Sequence, residues 1–518
     1  MFVNKIEIKI FLTFFIIYSF FAQWNDIWDF NSSFSLVKAI VEENRIEIDS
    51  YHNTTEVKSY YKGHYYTPIA PGISFLMTWV YAVCKTFITD PSIHQFLMVI
   101  FSNSLCGALS CLLVYKILNF FTKNKMYRLL TTLGYGACTS SFPYSLGFYV
   151  YVPTILFILI VFYLLLKEKT KHKKSLKNFF LAGIFIGFTE VIYPVSIFIN
   201  FSLILFFVLI CAIDKNIVPF FIFILGMVIG YLPLISFNYT IFNFLVFTPV
   251  ELNKYWSGKG AGWVPPDVNR FKVLLRVLFY PWNGLFFYYP LLFLSFLGIL
   301  LMFQKKKIEC CIILIAFFLI LVWATFLSRW WGDFSFGPRR FLLIIPFLIL
   351  GLPYVLGRLD LKFFLPFFVL SLFTNLLGLQ LWWPSLDNLP RIDEIYVKTV
   401  ENFQFFRNPL LEDFLPLFIK NGPRSILFEN LILKGKIDIS RYREYEKDME
   451  SYKIKLLSLP FLGTIAIRLP FLCLIPLTII LFFIWNKEIK KILIRKHIKI
   501  VVVILVLILL FAFIDIHK

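Results

Sequence analysis

Residues 150–177 of this chain read VYVPTILFILIVFYLLLKEKTKHKKSLK, and the pattern in this stretch decides the fold class. The first part, 150–166, has no charged side chain. It approaches the length of about 20 apolar residues with which a helix crosses a bilayer. The second part, 167–177, carries six lysines against one acid. Because short basic loops stay in the cytoplasm, the stretch predicts a membrane span that ends on the cytoplasmic side.

The rest of the sequence repeats this pattern of apolar runs and short basic loops. The chain has 518 residues, of which 59% are hydrophobic and 16% charged, and its mean hydropathy is +0.76. Ordinary soluble domains do not have this composition, and a transmembrane barrel would need short alternating segments. The sequence therefore predicts an all-α polytopic membrane protein. The net charge of +20 lies largely in the short loops, so it indicates membrane topology and no nucleic-acid partner.

The basic loops predict an orientation with the N-terminus in the cytoplasm. Residues 71–88 then form an interfacial or re-entrant helix on the outer side, because counting them as a span would move the basic loop TKNKMYR outside. We expect about thirteen spans, near 7–23, 92–116, 129–147, 150–166, 178–196, 197–213, 216–236, 285–304, 311–328, 340–357, 363–383, 458–485 and 500–516.

This topology divides the chain into three regions. Residues 1–383 form a transmembrane module, whose main outer loops are 24–70 and 237–284. Residues 384–457 form a small extracytoplasmic segment, and 458–518 hold the last transmembrane helices. We expect a multi-pass protein of the cell membrane, with its functional site on the extracytoplasmic face and membrane lipids as neighbours.

The first outer loop begins with two acids in the stretch NDIWD. Asp26 and Asp29 share one face if the first helix continues past the membrane, because their spacing is that of neighbours on a helix. Two such carboxylates suit a divalent cation, Mg²⁺ or Mn²⁺, or a catalytic base. The alternative is a solvated acidic face that only marks the outer side.

An aromatic stretch, SYYKGHYYTPIAPG, follows in the same loop. Lys62 and His64 are cations that suit an anionic group. Tyr65 and Tyr66 suit the lipid headgroup region, and tyrosine rings also stack on the faces of sugars. An ordinary aromatic belt explains the tyrosines about as well as a site does, but it does not explain the two cations among them.

The stretch SRWWGDFSFGPRR places cations at an outer surface, where the charge rule does not require them. Arg339 and Arg340 suit a phosphate or pyrophosphate, which arginine binds through paired hydrogen bonds. Trp331 fits the membrane interface. The alternative is that the arginines extend to lipid headgroups.

Glu190, in GFTEVIYPV, is an acid inside an apolar run. Such residues are costly in a membrane and usually face a polar interior, so Glu190 either lines a site or lies near the outer end of its helix. The side chains that we predict to line a substrate site are Asp49, Glu56, Tyr65, Tyr66, Glu190 and Trp331.

Several motifs, taken in order, resemble a known family. They are SLVKAIVEENRIEIDSY and YYKGHYYTPIAPG in the first outer loop, then FPYSLGFYVY, PWNGLFFYYPLLFLSFLG and RWWGDFSFGPRRFLLIIPF. Over residues 1–385 the chain resembles the prokaryotic branch of the GT-C membrane glycosyltransferases, whose relatives include the protein O-mannosyltransferases and the lipid A aminoarabinose transferase. The resemblance implies a GT-C-type helical bundle and makes residues 1–383 its catalytic module.

The resemblance also implies an activity. Enzymes of this group transfer a sugar from a polyprenyl-phosphate-linked donor on the outer face of the membrane, and their first outer loop carries the catalytic aspartate. Asp29 takes that place here, with Asp26 near it, in an inverting hexosyl- or pentosyltransferase. The acceptor class, which is a glycan, a lipid or a protein, stays open. The side chains left to bind the donor phosphate are Lys62, His64, Arg339 and Arg340.

Two positions depart from the pattern that relatives show. Ser33 stands where an arginine is expected, and Ile69 stands where a lysine is expected. These losses keep open an inactive relative that acts in envelope glycan assembly. A further alternative is a transporter or flippase for a lipid-linked glycan, which should show broken helices in matched halves and charges near the midplane. Only Glu190 hints at such a midplane charge.

Overall fold

The computed structural model describes most of the predicted transmembrane module and short parts of the C-terminal region. The described residues are mostly helical and include two small antiparallel hairpins, in agreement with the predicted helical fold class. Five described helices are long and apolar enough to cross a membrane, by length and composition, and shorter apolar helices accompany them. The described residues are 4–23, 28–214, 216–243, 269–327, 330, 335–379, 408–423, 425–428, 455–459, 463–467 and 473–493.

The described part of the first outer loop, which we call the first outer segment, contains a helix, a 3-10 turn (His52–Thr54) and a hairpin. In chain order its surroundings are α1 (Lys5–Phe20), α2 (Trp28–Lys38), β1 (Ser59–Tyr61), β2 (His64–Tyr66) and α3 (Gly72–Phe87). Helix α2 continues into a π-helical turn, Ala39–Glu43. Phe34 of α2 and Met77 of α3 belong to one buried cluster, so the two helices pack side by side. Helix α3 matches the predicted segment 71–88, and its depth in a membrane stays a prediction.

The remaining helices and strands complete the described part of the chain. Helices α4 and α5 are joined by a π-helical turn, Ile100–Ser104, into one long helix. The bounds are α4 (Pro91–Val99), α5 (Leu105–Ile117), α6 (Lys125–Ala137), α7 (Ser141–Tyr144), α8 (Tyr151–Lys169), α9 (Leu176–Ile192), α10 (Ile197–Asp214), α11 (Val218–Phe242), α12 (Arg270–Phe279), α13 (Leu285–Tyr288), α14 (Pro290–Met302), α15 (Lys307–Phe326), α16 (Ile345–Leu348), α17 (Leu352–Leu356), α18 (Leu361–Leu377), α19 (Leu415–Asn421), β3 (Lys455–Leu459), β4 (Gly463–Ile467) and α20 (Leu474–Leu493).

Helices α9 and α11 approach each other more closely than side chains would normally allow. Their sequences contain two glycines each at a spacing of four, Gly183 with Gly187 and Gly226 with Gly230. A Cβ atom added at any of these positions would lie 2.1–2.3 Å from a backbone oxygen of the other helix. Backbone contact of this kind is the usual way in which helices associate in a membrane, where water does not drive them together.

Ion pairs gather the helix ends that the sequence places in the cytoplasm. Lys116, near the end of α5, lies 3.2 Å from Glu7 at the start of α1. Lys169, at the end of α8, lies 2.8 Å from Glu309 at the start of α15. Each ion pair thus joins two helix ends that are predicted to be cytoplasmic, and their side of the membrane stays a prediction.

Two predicted spans are wrong as single helices because proline and hydroxyl side chains interrupt them. The span 129–147 breaks after α6, where Thr139 donates from Oγ1 to the carbonyl of Tyr135 at 2.6 Å and Pro143 enters the short helix α7. Both kinds of residue compete with or remove the hydrogen bonds of a continuous helix. The span 340–357 divides into 3-10 turns and the short helices α16 and α17, each with a proline in its first turn.

The predicted span 458–485 is wrong in its first half. Strands β3 and β4 pair as an antiparallel hairpin from 455 to 467, and helix α20 begins only at Leu474. The β-branched residues of GTIAI favour a strand, which hydropathy alone does not distinguish from a helix. The predicted span 500–516 and most of 384–457 lie outside the described residues, so the count of thirteen is not confirmed.

Candidate active site

Asp29 lies in the first turn of α2, which begins at Trp28, and its side chain is exposed. A carboxylate is favoured there because the backbone dipoles leave positive charge at the start of a helix. The neighbouring Phe30 is buried and contacts Phe148 edge-on, with 4.7 Å between ring centres. This contact fixes the start of α2 against the segment that joins α7 to α8. Asp26 lies outside the described residues.

The hairpin explains why a lysine and a glycine stand together in YYKGHYY. Strands β1 and β2 pair from Ser59 with Tyr66 to Tyr61 with His64, so Lys62 and Gly63 form the turn. Both have positive φ, 47° and 94°, as a two-residue hairpin turn requires. The Lys62 ammonium lies 5.3 Å from the centre of the Tyr61 ring, at the exposed tip of the hairpin.

His64 and Asp49 form a hydrogen-bonded pair beside the turn of this hairpin. His64 Nδ1 lies 2.6 Å from one oxygen of Asp49, and the backbone N–H of Tyr65 donates to the other at 2.7 Å. Partial burial on its own would raise the pKa of Asp49, but these hydrogen bonds outweigh burial and lower it. The hydrogen bond that His64 donates to Asp49, and then the charge of Asp49, raise the pKa of His64. The pair therefore stays charged above the ordinary pKa of histidine.

The two tyrosines that we predicted to line the site differ in their surroundings. Tyr65 stacks on His52, with ring centres 4.1 Å apart and planes 10° apart. Tyr66 is 6% exposed and belongs to a small buried cluster with Phe242, at the end of α11. Tyr66 thus anchors the hairpin on α11, a packing role that the sequence did not predict. Glu56, which precedes β1, is exposed.

Arg339 and Arg340 begin a 3-10 turn that follows a tightly packed glycine. Gly337 has a φ of 63°, and a Cβ atom there would lie 2.7 Å from the hydroxyl of Tyr289. Glycine is therefore required both by the backbone conformation and by space. The Arg340 guanidinium lies 5.6 Å from the ring centre of Trp323 in α15. The turn holds both arginines at the end of α15 opposite its basic start.

Four tyrosines from two separate segments meet beside these arginines, and we call them the tyrosine cluster: Tyr144, Tyr149, Tyr151 and Tyr193. Ring centres lie 5.0 Å apart for Tyr144 and Tyr149, 5.5 Å for Tyr144 and Tyr151, and 5.1 Å for Tyr151 and Tyr193. Most pairs are tilted or edge-to-face, the arrangements that aromatic rings prefer. Three of the four rings come from the motif FPYSLGFYVY, which the predicted site residues did not include.

The tyrosine cluster is joined at two points to residues 336–341, which carry both arginines and which we call the arginine turn. The hydroxyl of Tyr144 donates to the carbonyl of Phe336 at 3.1 Å, across 192 residues of sequence. Tyr193 lies within electrostatic reach of Arg340 and Arg339. The cluster and the two arginines therefore form one polar and aromatic surface, where α8 begins and α9 ends.

Glu190 lies near the end of α9, which finishes at Ile192, and not at the middle of a span. One carboxylate oxygen accepts a hydrogen bond from the side-chain amide of Asn200 at 2.7 Å. The same amide also donates to Thr189 Oγ1 at 2.8 Å. Glu190 is therefore at the end of α9 away from the basic stretch 167–177, and both its role as a site residue and the side of the membrane stay predictions.

The predicted phosphate-binding residues fall into two groups. Within the part of the chain that the structure describes, the polar contacts of Lys62 and His64 are with the first outer segment itself. Arg339 and Arg340 lie instead beside the tyrosine cluster. Near Asp29, the start of α2 contacts the motif FPYSLGFYVY through Phe30. Three tyrosines of the tyrosine cluster belong to this motif. Trp331 lies outside the described residues, and the described ones hold no group of three metal-binding side chains.

Sequence reasoning also missed Glu42. Its carboxylate accepts hydrogen bonds from Tyr51 at 2.8 Å and from Tyr81 at 2.5 Å, and Lys85 lies 3.5 Å away. Partial burial would raise the pKa of Glu42, but the two tyrosine hydrogen bonds, followed by Lys85, lower it. Tyr81 is 39 residues away in sequence, so only the fold reveals that Glu42 fastens the first outer segment to α3.

No protein-family model matches the chain, and no curated protein matches it. Among solved structures the chain is similar to ArnT from Cupriavidus metallidurans bound to undecaprenyl phosphate, with 11% identity and a TM-score of 0.44. The match covers 68% of this chain and 60% of the ArnT chain, less than two thirds of it. The likeness is distant, so the proposed function rests on this chain's own residues.

Proposed function

We propose that this protein is an inverting membrane glycosyltransferase, which transfers a hexosyl or pentosyl group from a polyprenyl-phosphate-linked donor on the extracytoplasmic face. The observation that carries the proposal is the position of Arg339 and Arg340 beside the tyrosine cluster. Tyr151 begins α8, and the last turn of that helix holds Lys167 and Lys169. The arginines are therefore at the end of the bundle away from the loops that the sequence places in the cytoplasm.

The arginines supply the chemistry that a lipid-linked sugar phosphate needs. A phosphate oxygen pair accepts two parallel hydrogen bonds from a guanidinium, and arginine keeps its charge at any physiological pH. As the sugar leaves, negative charge develops on the departing phosphate. Cations that are already fixed in place stabilise that charge without reorganisation. Arg339 and Arg340 are held in this way by the turn after Gly337.

Asp29 is the proposed base. It accepts the proton of the acceptor hydroxyl, while the hydroxyl oxygen forms a bond to the anomeric carbon of the sugar. The bond between that carbon and the phosphate oxygen breaks, and its electron pair leaves with the phosphate. Attack from the face opposite the phosphate inverts the configuration. The proposal requires Asp29 and the arginines to face the anomeric carbon from opposite sides.

The two departures from the family pattern are accommodated by the local packing. Ser33 is buried, its hydroxyl donates to the carbonyl of Asp29 at 3.2 Å, and its own carbonyl accepts from Ser74 at 2.8 Å. The position therefore joins α2 to α3. Ile69 is half-buried, and its N–H donates to Thr67 Oγ1. Phosphate binding in this chain is proposed to depend on Arg339 and Arg340.

The test is donor consumption. Purified protein in lipid nanodiscs is incubated with a panel of undecaprenyl-phosphate-linked hexoses and pentoses, together with lipid, glycan or protein fractions as acceptors, and the sugar lipid is followed by mass spectrometry. We expect consumption of at least one donor and release of undecaprenyl phosphate. Arg339→Ala should lower this consumption, whereas Arg358→Ala, at an exposed position after α17, should not.

Intact donors in every incubation would contradict the proposal. If the same sugar lipids then crossed the membrane of vesicles that contain the protein, the transporter alternative would replace the enzyme. If the donors were neither consumed nor moved, the inactive relative would be favoured.

A further inference from the structure

The motif FPYSLGFYVY has no role in the mechanism above, although its tyrosines lie beside the proposed phosphate-binding arginines. Tyr144 is buried and its hydroxyl bonds to the backbone of the arginine turn, so its role is to hold the two segments together. Tyr149 and Tyr193 are only half-buried. Tyr151, which contacts both, is 9% exposed, so the accessible part of the tyrosine cluster belongs to Tyr149 and Tyr193.

Buried side chains of a neighbouring helix hold the backbone of the segment that carries Tyr144 and Tyr149. Asn103 donates from its side-chain amide to the carbonyls of Tyr144 at 3.2 Å and Tyr149 at 2.8 Å. Ser104 donates to the carbonyl of Ser145 at 3.0 Å. Both donors are buried and lie in the π-helical turn Ile100–Ser104. Such turns occur often at functional sites, because they redirect side chains out of a regular helix.

A ring surface next to paired arginines suits one class of ligand. In a lipid-linked donor the sugar is bonded directly to the phosphate, so the sugar ring must lie beside whatever binds the phosphate. A sugar presents C–H groups on its faces and hydroxyls around its rim. Accessible tyrosines offer an apolar face for the former and a hydroxyl for the latter. Neutral rings with hydroxyls add no charge that would repel or trap the phosphate.

We propose that Tyr149, Tyr151 and Tyr193 form the subsite that holds the sugar ring of the donor, while Arg339 and Arg340 hold its phosphate. This inference rests on the proposed function and adds the part of the site that distinguishes a sugar-bearing lipid from a bare lipid phosphate. The tyrosine subsite is a set of binding residues. No bond is made or broken by them.

Binding measurements separate the two parts of the site. The affinities of the purified full-length protein for undecaprenyl phosphate and for undecaprenyl-phosphate-linked hexoses and pentoses are compared by microscale thermophoresis. We expect the wild type to prefer at least one sugar lipid. In Tyr149→Ala and Tyr193→Ala that preference should fall roughly three- to tenfold, the worth of one aromatic contact, with affinity for undecaprenyl phosphate nearly unchanged. Arg339→Ala should instead weaken binding of both lipids.

Two further variants make the result specific. Tyr193→Phe keeps the ring and should retain most of the preference, whereas Tyr193→Leu fills part of the space without a ring and should lose it even if the alanine variant does not fold. Tyr163→Ala is the matched control, because Tyr163 is a half-buried tyrosine on the same helix as Tyr151 but towards its basic end.

The failures are distinguishable. If the wild type bound undecaprenyl phosphate but showed no preference for any sugar lipid, or if the preference survived in Tyr149→Ala and Tyr193→Leu, the tyrosine subsite would be wrong and the phosphate site would stand. If the wild type bound neither undecaprenyl phosphate nor any sugar lipid, the proposed function would fall together with the subsite.

Discussion

Asp29 owes its proposed role to its place in the first turn of α2, where it is exposed and the helix dipole favours its charge. Asp29→Asn keeps the size and polarity of the side chain, so folding and donor binding should persist. The amide cannot accept the proton of the acceptor. We therefore expect the rate of sugar transfer to fall by about 10²–10⁴, the usual worth of a well-placed base. Single-turnover consumption of the donor measures this rate.

Asp26→Asn is the control that separates the two acids of NDIWD. If a divalent ion needs both carboxylates, added Mg²⁺ or Mn²⁺ should partly restore the Asp26→Asn variant. Transfer at the wild-type rate by Asp29→Asn, with Asp26→Asn inactive, would move the base to Asp26. Full activity of both variants would mean that the acids are a solvated face, and the proposed mechanism would be wrong.

The pair of His64 and Asp49 predicts a pH dependence that can be measured at one residue. Because the hydrogen bond and charge of Asp49 raise the pKa of His64, the pair is fully formed below the ordinary pKa of histidine. It is lost as the pH rises through the raised value. We expect an NMR titration of ¹³C-labelled histidine to show that Asp49→Asn lowers the pKa of His64 towards its ordinary value of 6.5.

Glu47→Gln serves as the comparison for this titration. Glu47 acts on His64 through its charge alone, and its effect is smaller than that of Asp49. The variant should therefore lower the pKa of His64 less than Asp49→Asn does. An unchanged titration of His64 in Asp49→Asn would show that the 2.6 Å contact does not persist in solution.

At the scale of elements, apolar runs predicted where helices lie better than where they break. The run 150–166 corresponds to α8, and the run 216–236 corresponds to the first part of α11, which continues to Phe242. Both helices contain prolines, but Pro153 and Pro219 lie in the first turn, where no hydrogen bond is lost, and α11 continues through Pro233. The run 340–357 is equally apolar but breaks at its prolines and at Gly351, since hydropathy measures burial in lipid and carries no information on backbone geometry.

The glycines between α9 and α11 give a prediction for this pair of helices. Gly187→Leu would place a side chain where the added Cβ atom already lies 2.2 Å from the backbone of α11. The helices must separate, and overpacking of this kind typically costs about 1–3 kcal/mol of the free energy of unfolding. Denaturation in detergent, followed by circular dichroism, measures the change.

A matched substitution on an exposed face of α11 tests whether the backbone contact is the cause of this loss of stability. Val228→Leu adds volume at a side chain that is 48% exposed, so it should leave the free energy of unfolding nearly unchanged. Equal stability of Gly187→Leu and Val228→Leu would contradict direct backbone contact between the two helices.

At the scale of the molecule, the sequence indicated parts of the site but not how they combine. Arg339 and Arg340 could be singled out because cations on an outer surface have no topological reason to be there. The tyrosine cluster could not, since each tyrosine taken alone is an ordinary interfacial residue and the segments meet only in the fold. Lys62 and His64 carried the same signal as the arginines, yet the structure places them on a hairpin that packs against α11.

The orientation of the whole molecule decides whether the proposed site can meet its donor. The site and the basic loops lie at opposite ends of α8, so one labelling experiment places both. In a variant without its eight native cysteines, none of which is in a disulfide, Asn53→Cys should react in intact cells with a membrane-impermeant maleimide. Thr170→Cys should react only after the cells are permeabilised. Both positions are exposed, so accessibility alone does not separate them.

The reverse pattern would put Asp29, the arginines and the tyrosine cluster in the cytoplasm. Binding of a lipid-linked sugar would still be compatible with that result, because such a donor can face either side of a membrane. Transfer on the extracytoplasmic face would not be compatible with it. The basic loops would then lie on the outer side, which the charge rule does not explain. The labelling result therefore tests the side of the reaction independently of the chemistry, which the Asp29 and Arg339 variants test.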